Sequence, residues 1–211
     1  MPRWPVRAGR AAAAPAPAPA PSAAGHWLWP APDEPGVRLS AVDIGFAQDM
    51  SAHHDQAILL SHTLSREVSP QVRALADQIA AAQTAETAMM QGWLALADRP
   101  RSSDGSMAWM HDDGGHGAHR SPEGPPMPGM ASTGDIARLG GLRGVEAERL
   151  FLQLMIRHHR GGVDMAQAAY DRGRTAAVRR AAIEFVRQQN SETGLMTALL
   201  TARGAEPLPY P

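Results

Sequence analysis

The chain has 211 residues, of which 44% are hydrophobic and only 5% aromatic, and it carries 20 basic and 21 acidic residues. Because strands favour aromatic and β-branched residues, this composition favours helices around a sizeable core. The basic residues are scattered, which argues against a nucleic-acid partner. The absence of cysteine excludes disulfides, thiolate metal sites and thiol catalysis, so any soft metal ligand must be one of the 11 methionines.

The N-terminal segment, residues 1–37, is rich in alanine and proline and is predicted to be extended and unpacked. Three arginines precede Ala11–Ala14, as at the start of a secretory signal, but proline interrupts the apolar stretch after four residues. Neither a signal sequence nor a transmembrane segment is evident. A degenerate signal, an anchor and a misplaced start codon remain alternative interpretations.

Four helices are predicted between residues 38 and 206, each with start or stop signals at its ends. They are 40–67, capped by Ser40 and Asp43; 69–98, begun by Ser69-Pro70; 145–172, ended by Gly173; and 175–203, capped by Thr175 and ended by Gly204. A loop at 99–134, rich in glycine, methionine and histidine, joins the second helix to a short turn at 135–139. Residues 207–211 are predicted to form a loose tail.

The two halves of this region repeat each other, and this is the strongest signal in the sequence. The pattern Phe-x3-Met-x2-His-His recurs from position 46 at position 151, and Gln-x2-Glu-x3-Met-x3-Leu recurs from 83 at 189. The matched residues are Phe46, Met50, His53, His54, Gln83, Glu86, Met90 and Leu94 in the first copy, and Phe151, Met155, His158, His159, Gln189, Glu192, Met196 and Leu200 in the second. A repeated helical hairpin predicts an all-α four-helix bundle.

The repeated polar residues are predicted to point inward and to lie at one level. At 100° per residue they share the apolar face of each helix. Each histidine pair and each Gln/Glu pair is also about equally far from its hairpin turn, which places the pairs side by side in antiparallel helices. Unpartnered buried polar groups cost about 1–3 kcal/mol each, so the cluster requires partners.

Two interpretations of the cluster follow: a hydrogen-bond network that fixes helix register, or a transition-metal site. Imidazole suits several transition metals and thioether sulfur favours Cu(I), so the duplicated set favours copper, as Cu(I) or Cu(II). The candidate ligands are Met50, His53, His54, Met155, His158 and His159, with Glu86, Glu192, Met90 and Met196 as further ligands or as residues that orient ligands.

The loop at 99–134 holds a second group of candidate ligands. They are Met107, Met110, His111, His116, His119, Met127 and Met130. Tracts of this kind recruit metal without a fixed fold, and a loop with no such role is the alternative.

The doubled Phe-x3-Met-x2-His-His pattern, both Gln-x2-Glu-x3-Met helices and the Pro-Gly-Met at 128–130 resemble the CopM-like family over about residues 40–203. The resemblance implies a ferritin-like four-helix bundle, an extracytoplasmic location in bacteria, and copper binding by the repeated His and Met residues and the loop methionines. The chain departs from the pattern at Gly161-Gly162, which places two glycines within a helix, and at Asp55, whose counterpart is Arg160.

The leading hypothesis is a copper-binding protein of copper resistance, without catalytic turnover, that sequesters copper or hands it to a partner protein outside the cytoplasm. One alternative is a ferritin-like di-iron or di-manganese oxidase, which would use four carboxylates and Glu-x-x-His motifs. Neither Glu86 nor Glu192 is followed by such a histidine, which argues against this alternative. The other alternative is a structural bundle that binds a protein partner.

Overall fold

The structure is a computed structural model that describes residues 38–103, 105, 107–110 and 127–210. Five α-helices and one 3₁₀ turn form the described part, and it contains no strand, which confirms the all-α prediction. The elements are α1 (Ala41–Thr63), α2 (Pro70–Leu96), the 3₁₀ turn Ala108–Met110, α3 (Thr133–Gly141), α4 (Gly144–Arg172) and α5 (Ala176–Thr201). The segment 1–37, predicted to be unpacked, lies outside the described residues.

Two boundaries differ from the sequence prediction. Helix α1 ends at Thr63 rather than near residue 67, because Leu64 leaves the helical region with ψ 128° and a bend follows. The predicted turn at 135–139 is part of a nine-residue helix, α3, which begins with a capping box. In that box the Ser132 hydroxyl accepts from the Asp135 amide while the Asp135 carboxylate accepts from the Ser132 amide.

Helices α1 and α2 form one hairpin and α4 and α5 form the other, with connections of six and three residues. The hairpins pack against each other mainly through α1 and α4. The two helices run antiparallel, since the Gly144 amide at the start of α4 donates to Glu67 just beyond the end of α1. The short helix α3 packs on both. Residues midway along α1 and α4 are therefore brought together in the centre of the molecule.

Each end of the molecule is closed by a buried carboxylate that reaches across to the other hairpin. On α1, Asp43 accepts from the amide and hydroxyl of Thr175, the residue that begins α5. On α4, Glu148 accepts from the amide of Ser69, the residue that begins α2. Both carboxylates accept from the amide of the residue just before a helix, where a negative charge is also favourable for the helix dipole.

These two caps are related by the internal repeat. Position 43 plus 105 is 148, and position 69 plus 106 is 175, the same offsets as in the histidine and glutamate patterns. This pair was not predicted from the repeat because the acid changes from aspartate to glutamate. Arg203 adds an ion pair to Glu148 and donates to the Ser69 hydroxyl, so this end also holds the end of α5.

The predicted N-cap residues are correct in position, but not all of them cap their helix with the side chain. Ser40 and Asp43 form the expected capping box at the start of α1. Ser69 and Thr175 begin α2 and α5, yet neither side chain caps its own helix. The carboxylates of the opposite hairpin accept instead from the amides of Ser69 and Thr175 themselves.

Residues 207–210, which belong to the predicted loose tail, and the preceding Glu206 lie against α4. Gln153 donates to the Glu206 carbonyl, and the Tyr210 hydroxyl donates to Asp164. Leu208, which lies between Glu206 and Tyr210 in the sequence, packs on the hydrophobic core. In the part of the chain that the structure describes, no helix has the length and hydropathy of a membrane-spanning segment.

The exchanged caps generate a pH prediction. Burial raises the pKa of Asp43, but hydrogen bonds from Ser40 and Thr175 outweigh it and hold that pKa below its ordinary value. The unfolded chain therefore binds a proton here at a pH where the folded chain does not, and stability is lost as pH falls below about 4. We expect Asp43→Asn to cost about 1–2 kcal/mol at pH 7 and to flatten this acid dependence.

Urea unfolding from pH 7 to pH 3 measures both effects. The matched control is Asp171→Asn, because Asp171 is exposed on α4 and holds no helix start. An unchanged acid dependence in Asp43→Asn would contradict the role assigned to this carboxylate.

Candidate metal centre

Four histidines occupy the middle of the interface between the hairpins. His53 and His54 lie on α1, His158 and His159 lie on α4, and all four are fully buried. They are buried because they continue the apolar face of each helix that carries Phe46 or its counterpart in α4. The sequence prediction that these side chains point inward is confirmed.

Each hairpin holds one histidine against one glutamate, at the level that the repeat predicts. His159 Nε2 lies 2.7 Å from Glu192 Oε2 as a hydrogen bond, and His54 Nε2 lies 2.8 Å from Glu86 Oε2. The second contact is close, but its orientation is not that of a hydrogen bond. Glu192 also accepts from Gln188 at 3.2 Å, so its carboxylate is held from two sides.

The other two histidines meet across the hairpin interface. The rings of His53 and His158 have centroids 3.8 Å apart and an interplanar angle of 32°. His158 Nε2 donates to the backbone carbonyl of His53 at 2.9 Å, and His53 Nε2 donates to the carbonyl of Pro128 at 3.1 Å. In the first copy the His53 ring is therefore oriented by the loop. In the second copy the His158 ring is oriented by the backbone of the first copy.

Steric contacts explain why positions 161 and 162 of α4 are glycines. A Cβ on Gly161 would collide with the Pro128 carbonyl, and a Cβ on Gly162 would collide with the Gln189 side chain. Gly129 has φ +77° and also lies against the backbone of α4 at Arg157. The turn at 127–130 is therefore seated on α4 by small residues on both sides.

A side-chain amide fixes the chain just beyond this turn. Gln56 Nε2 donates to the Ala131 carbonyl at 3.0 Å, and Gln56 Oε1 accepts from the Ala131 amide at 2.6 Å. The returning segment of the loop is thus hydrogen-bonded to α1 through both its amide and its carbonyl group. Position 56 plus 105 is 161, so the residue that binds the loop on α1 corresponds to the glycine that seats it on α4.

The centre contains several buried polar atoms with no hydrogen-bond partner among the described residues. They include Nδ1 of all four histidines, Oε1 of Gln83 and both amide atoms of Gln189. In the same part of the chain, no three His, Asp or Glu side chains converge as a ready-made metal site. The polar contacts of the histidines occur instead in pairs. The unpartnered Nδ1 atoms are nitrogens that could coordinate a metal ion.

Three of the four buried histidines have pKa values lowered by their surroundings. Burial and the neighbouring His54 lower the pKa of His53 to about 3, and burial and His159 lower that of His54 to about 3. The pKa of His158 is also well below its ordinary value because of burial and His53. Neutral imidazole is the form that binds a metal, so little proton competition is expected at pH 7.

Glu86 differs from an ordinary surface glutamate. Burial, followed by the charge of Glu192, raises the pKa of Glu86 to about 7. The two carboxylates are therefore close enough to repel each other, although they lie on different hairpins. A cation between or beside them would relieve this repulsion.

The repeated methionines are all buried, but the structure places the two copies in different surroundings. Met50 and Met90 share a cluster with the loop residues Met107 and Met127, and Met110 and Met130 pack at its edge. Met155 and Met196 lie in the other core cluster. The loop methionines thus gather around the first copy only.

One buried methionine of that first cluster, Met165, was not predicted as a candidate. Its repeat counterpart is Leu60, so the internal repeat carried no signal for it. Of the remaining loop candidates, His111, His116 and His119 lie outside the described residues.

The first part of the loop is anchored by a residue that the sequence analysis also overlooked. Asp49 is buried on α1 and accepts from Trp109 Nε1 at 2.7 Å and from the Ser103 hydroxyl. Trp109 packs edge-on to Phe46, with ring centroids 5.8 Å apart, and lies against Gly45. The polar residue within an otherwise apolar face was the signal that could have revealed this anchor.

The seating of the turn can be tested by stability measurements. Alanine at Gly161 should displace the backbone of Pro128 and cost about 1–3 kcal/mol, despite its better helix propensity. Gly194→Ala is the matched control, because a Cβ there meets nothing within 4 Å. It should stabilise the protein by about 0.5–1 kcal/mol. Equal stabilisation by both variants in urea unfolding would show that the turn does not press on α4.

Comparisons with known proteins place this architecture among related chains. Residues 43–200 match the model of a family described as a domain of unknown function, DUF305. A DUF305 protein from Streptomyces coelicolor, described as a candidate secreted protein, is 40% identical, with 80% of this chain and 98% of that chain covered and a TM-score of 0.70. A DUF305 fragment from Deinococcus radiodurans is 31% identical, with 79% and 99% covered and a TM-score of 0.65.

A more distant likeness concerns the fold alone. CopM in its Cu(I)-bound form is 20% identical, with 76% of this chain and 96% of that chain covered and a TM-score of 0.57. Its Cu(II)-bound form gives a TM-score of 0.55. No curated protein matches the chain.

Proposed function

Since this chain belongs to the DUF305 family, whose fold it shares with copper-bound CopM, we propose that it binds copper and sequesters it or hands it over outside the cytoplasm. Copper is the cargo of this function, and no bond of a substrate is made or broken. The observation that carries the proposal is the duplicated set of buried histidines with unpartnered Nδ1 atoms beside fully buried methionines.

The chemistry of the donor set supports copper over harder ions. Imidazole nitrogen and thioether sulfur together match the preference of Cu(I), and neither donor brings a negative charge into the interior. His53 and His54 follow Met50 by three and four residues, so one helical face presents sulfur and nitrogen together. The same spacing is present in α4.

The glutamates support the histidines in this proposal. The Glu192 carboxylate accepts from His159 Nε2, which orients the ring and raises the basicity of the other nitrogen. Glu86 Oε2 lies 2.8 Å from His54 Nε2 in the first hairpin, a close contact without the orientation of a hydrogen bond. The oxidase alternative would instead require the carboxylates themselves to bind the metal.

Location and partner form the remaining parts of the proposal. The description of the Streptomyces coelicolor relative as a candidate secreted protein supports an extracytoplasmic location. Handing copper over requires a copper-handling partner protein. The loop methionines clustered around Met50 flank the loop histidines in the sequence, and this is where we expect such exchange.

The first test is thermal unfolding of the metal-free protein with Cu(I), Cu(II), Zn(II), Fe(II) or Mn(II). A ligand at about 100 times its Kd stabilises the native state by about 2.7 kcal/mol, which corresponds to a rise in Tm of about 5–10 °C. We expect this rise with copper and its loss in the His54→Ala/His159→Ala variant. His62→Ala is the matched control, because His62 is exposed on the same helix.

The other outcomes separate the alternatives. A rise in Tm with iron or manganese, together with oxygen consumption, would favour the oxidase. No rise with any ion, and equal destabilisation of the variant with and without metal, would favour a hydrogen-bonded bundle that binds a protein partner.

The second test separates sulfur ligands from core filler. Met50→Leu conserves volume and should cost less than about 1.5 kcal/mol in stability, so the fold is retained. If the thioether is a ligand, the variant should lose Cu(I) affinity by about tenfold or more in competition with a Cu(I) chelator, with a smaller loss for Cu(II). Met89→Leu is the control, because Met89 is 37% exposed on α2. Equal Cu(I) affinity in both variants would reduce Met50 to a packing role.

A further inference from the structure

We infer that copper is bound through Nδ1 of His53 and His158, and that the Pro128 carbonyl is the group that positions His53 for this. The assignment presupposes the copper binding proposed above and names two of the atoms that carry it. It also assigns the turn at 127–130 a function at the centre, through its backbone.

The hydrogen bonds of these two rings determine which nitrogen carries the proton. A backbone carbonyl can only accept, so His53 Nε2 at 3.1 Å from Pro128 O and His158 Nε2 at 2.9 Å from His53 O must each be N–H donors. Both rings are fully buried, and burial favours the neutral form of an imidazole. A neutral imidazole with hydrogen on Nε2 has its lone pair on Nδ1.

Both of these Nδ1 lone pairs lack a partner. Each is buried and makes no hydrogen bond to any residue that the structure describes. A buried acceptor left unpaired costs about 1–3 kcal/mol, and a metal ion bound there would offset this cost. The Nε2 atoms could bind copper only by breaking the two carbonyl contacts.

The two rings are oriented by two successive hydrogen bonds, the first of which comes from the loop. Pro128 orients His53, and the carbonyl of His53 orients His158, while the rings themselves lie 3.8 Å apart between centroids. Gly161 permits this arrangement, since any side chain there would collide with the Pro128 carbonyl. Pro128 is thus a positioning residue that acts through His53. Gly161 leaves the space that the Pro128 carbonyl occupies.

Nitrogen NMR of the ¹⁵N-histidine-labelled protein tests the assignment directly. In long-range ¹H–¹⁵N spectra of the metal-free protein we expect His53 and His158 as Nε2–H tautomers. On titration with Cu(I) buffered by a chelator, the Nδ1 resonances of both rings should shift most, while Nε2 keeps its proton. The chelator competition measures Cu(I) affinity in the same samples.

Gly161→Ala provides the variant that displaces the turn. We expect His53 to lose its uniform Nε2–H tautomer while His158 retains it, and Cu(I) affinity to fall by about tenfold or more. Gly194→Ala, in which nothing lies near the new Cβ, should change neither. A purely structural role for the turn would lower stability without this selective change in the tautomer of His53.

The outcomes distinguish this inference from the proposed function. Cu(I) binding with Nε2 as the shifted nitrogen, or Nδ1–H tautomers in the metal-free protein, would overturn the inference and leave copper binding intact. The absence of Cu(I) binding in the competition assay would overturn both. Because the wild-type spectra decide the tautomer, the result does not depend on the folding of Gly161→Ala.

Discussion

The rest of the structure depends on two carboxylates, each of which lies on one hairpin and accepts hydrogen bonds at the start of a helix in the other hairpin. Asp43 holds the start of the opposite hairpin's second helix, and Glu148 does the same at the other end. Helix faces buried by apolar side chains alone can slide or rotate by small amounts, whereas a charged hydrogen bond at each end fixes register. With both ends fixed, residues midway along α1 and α4 must meet, and this places His53 against His158.

The sequence predicted the parts of the centre that depend on periodicity. Repeats and helical spacing predicted the inward histidines and their level with Glu86 and Glu192 because both follow from local geometry. The turn at Pro128 was not predicted to touch His53, since no periodicity links a loop residue to a helix 75 residues away. The two glycines of α4 carried the signal for this contact, but only the structure shows what occupies their space.

The two copies of the repeat have diverged in what surrounds them. One histidine of the first copy is oriented by the loop, and its counterpart is oriented by the first copy itself. The loop methionines also gather beside Met50, while Met155 lies in the other core cluster. A sequence match between halves therefore does not mean two equivalent half-sites. The loop inserted between the hairpins gives one face of the centre a separate covering.

The ion pair between Glu148 and Arg203 has a consequence for behaviour on heating. The cost of removing charged groups from water falls as temperature rises, because their hydration becomes less favourable, while the stabilisation from apolar burial levels off. This pair joins the starts of α2 and α4 to the end of α5. Its relative share in holding that end of the molecule therefore grows with temperature.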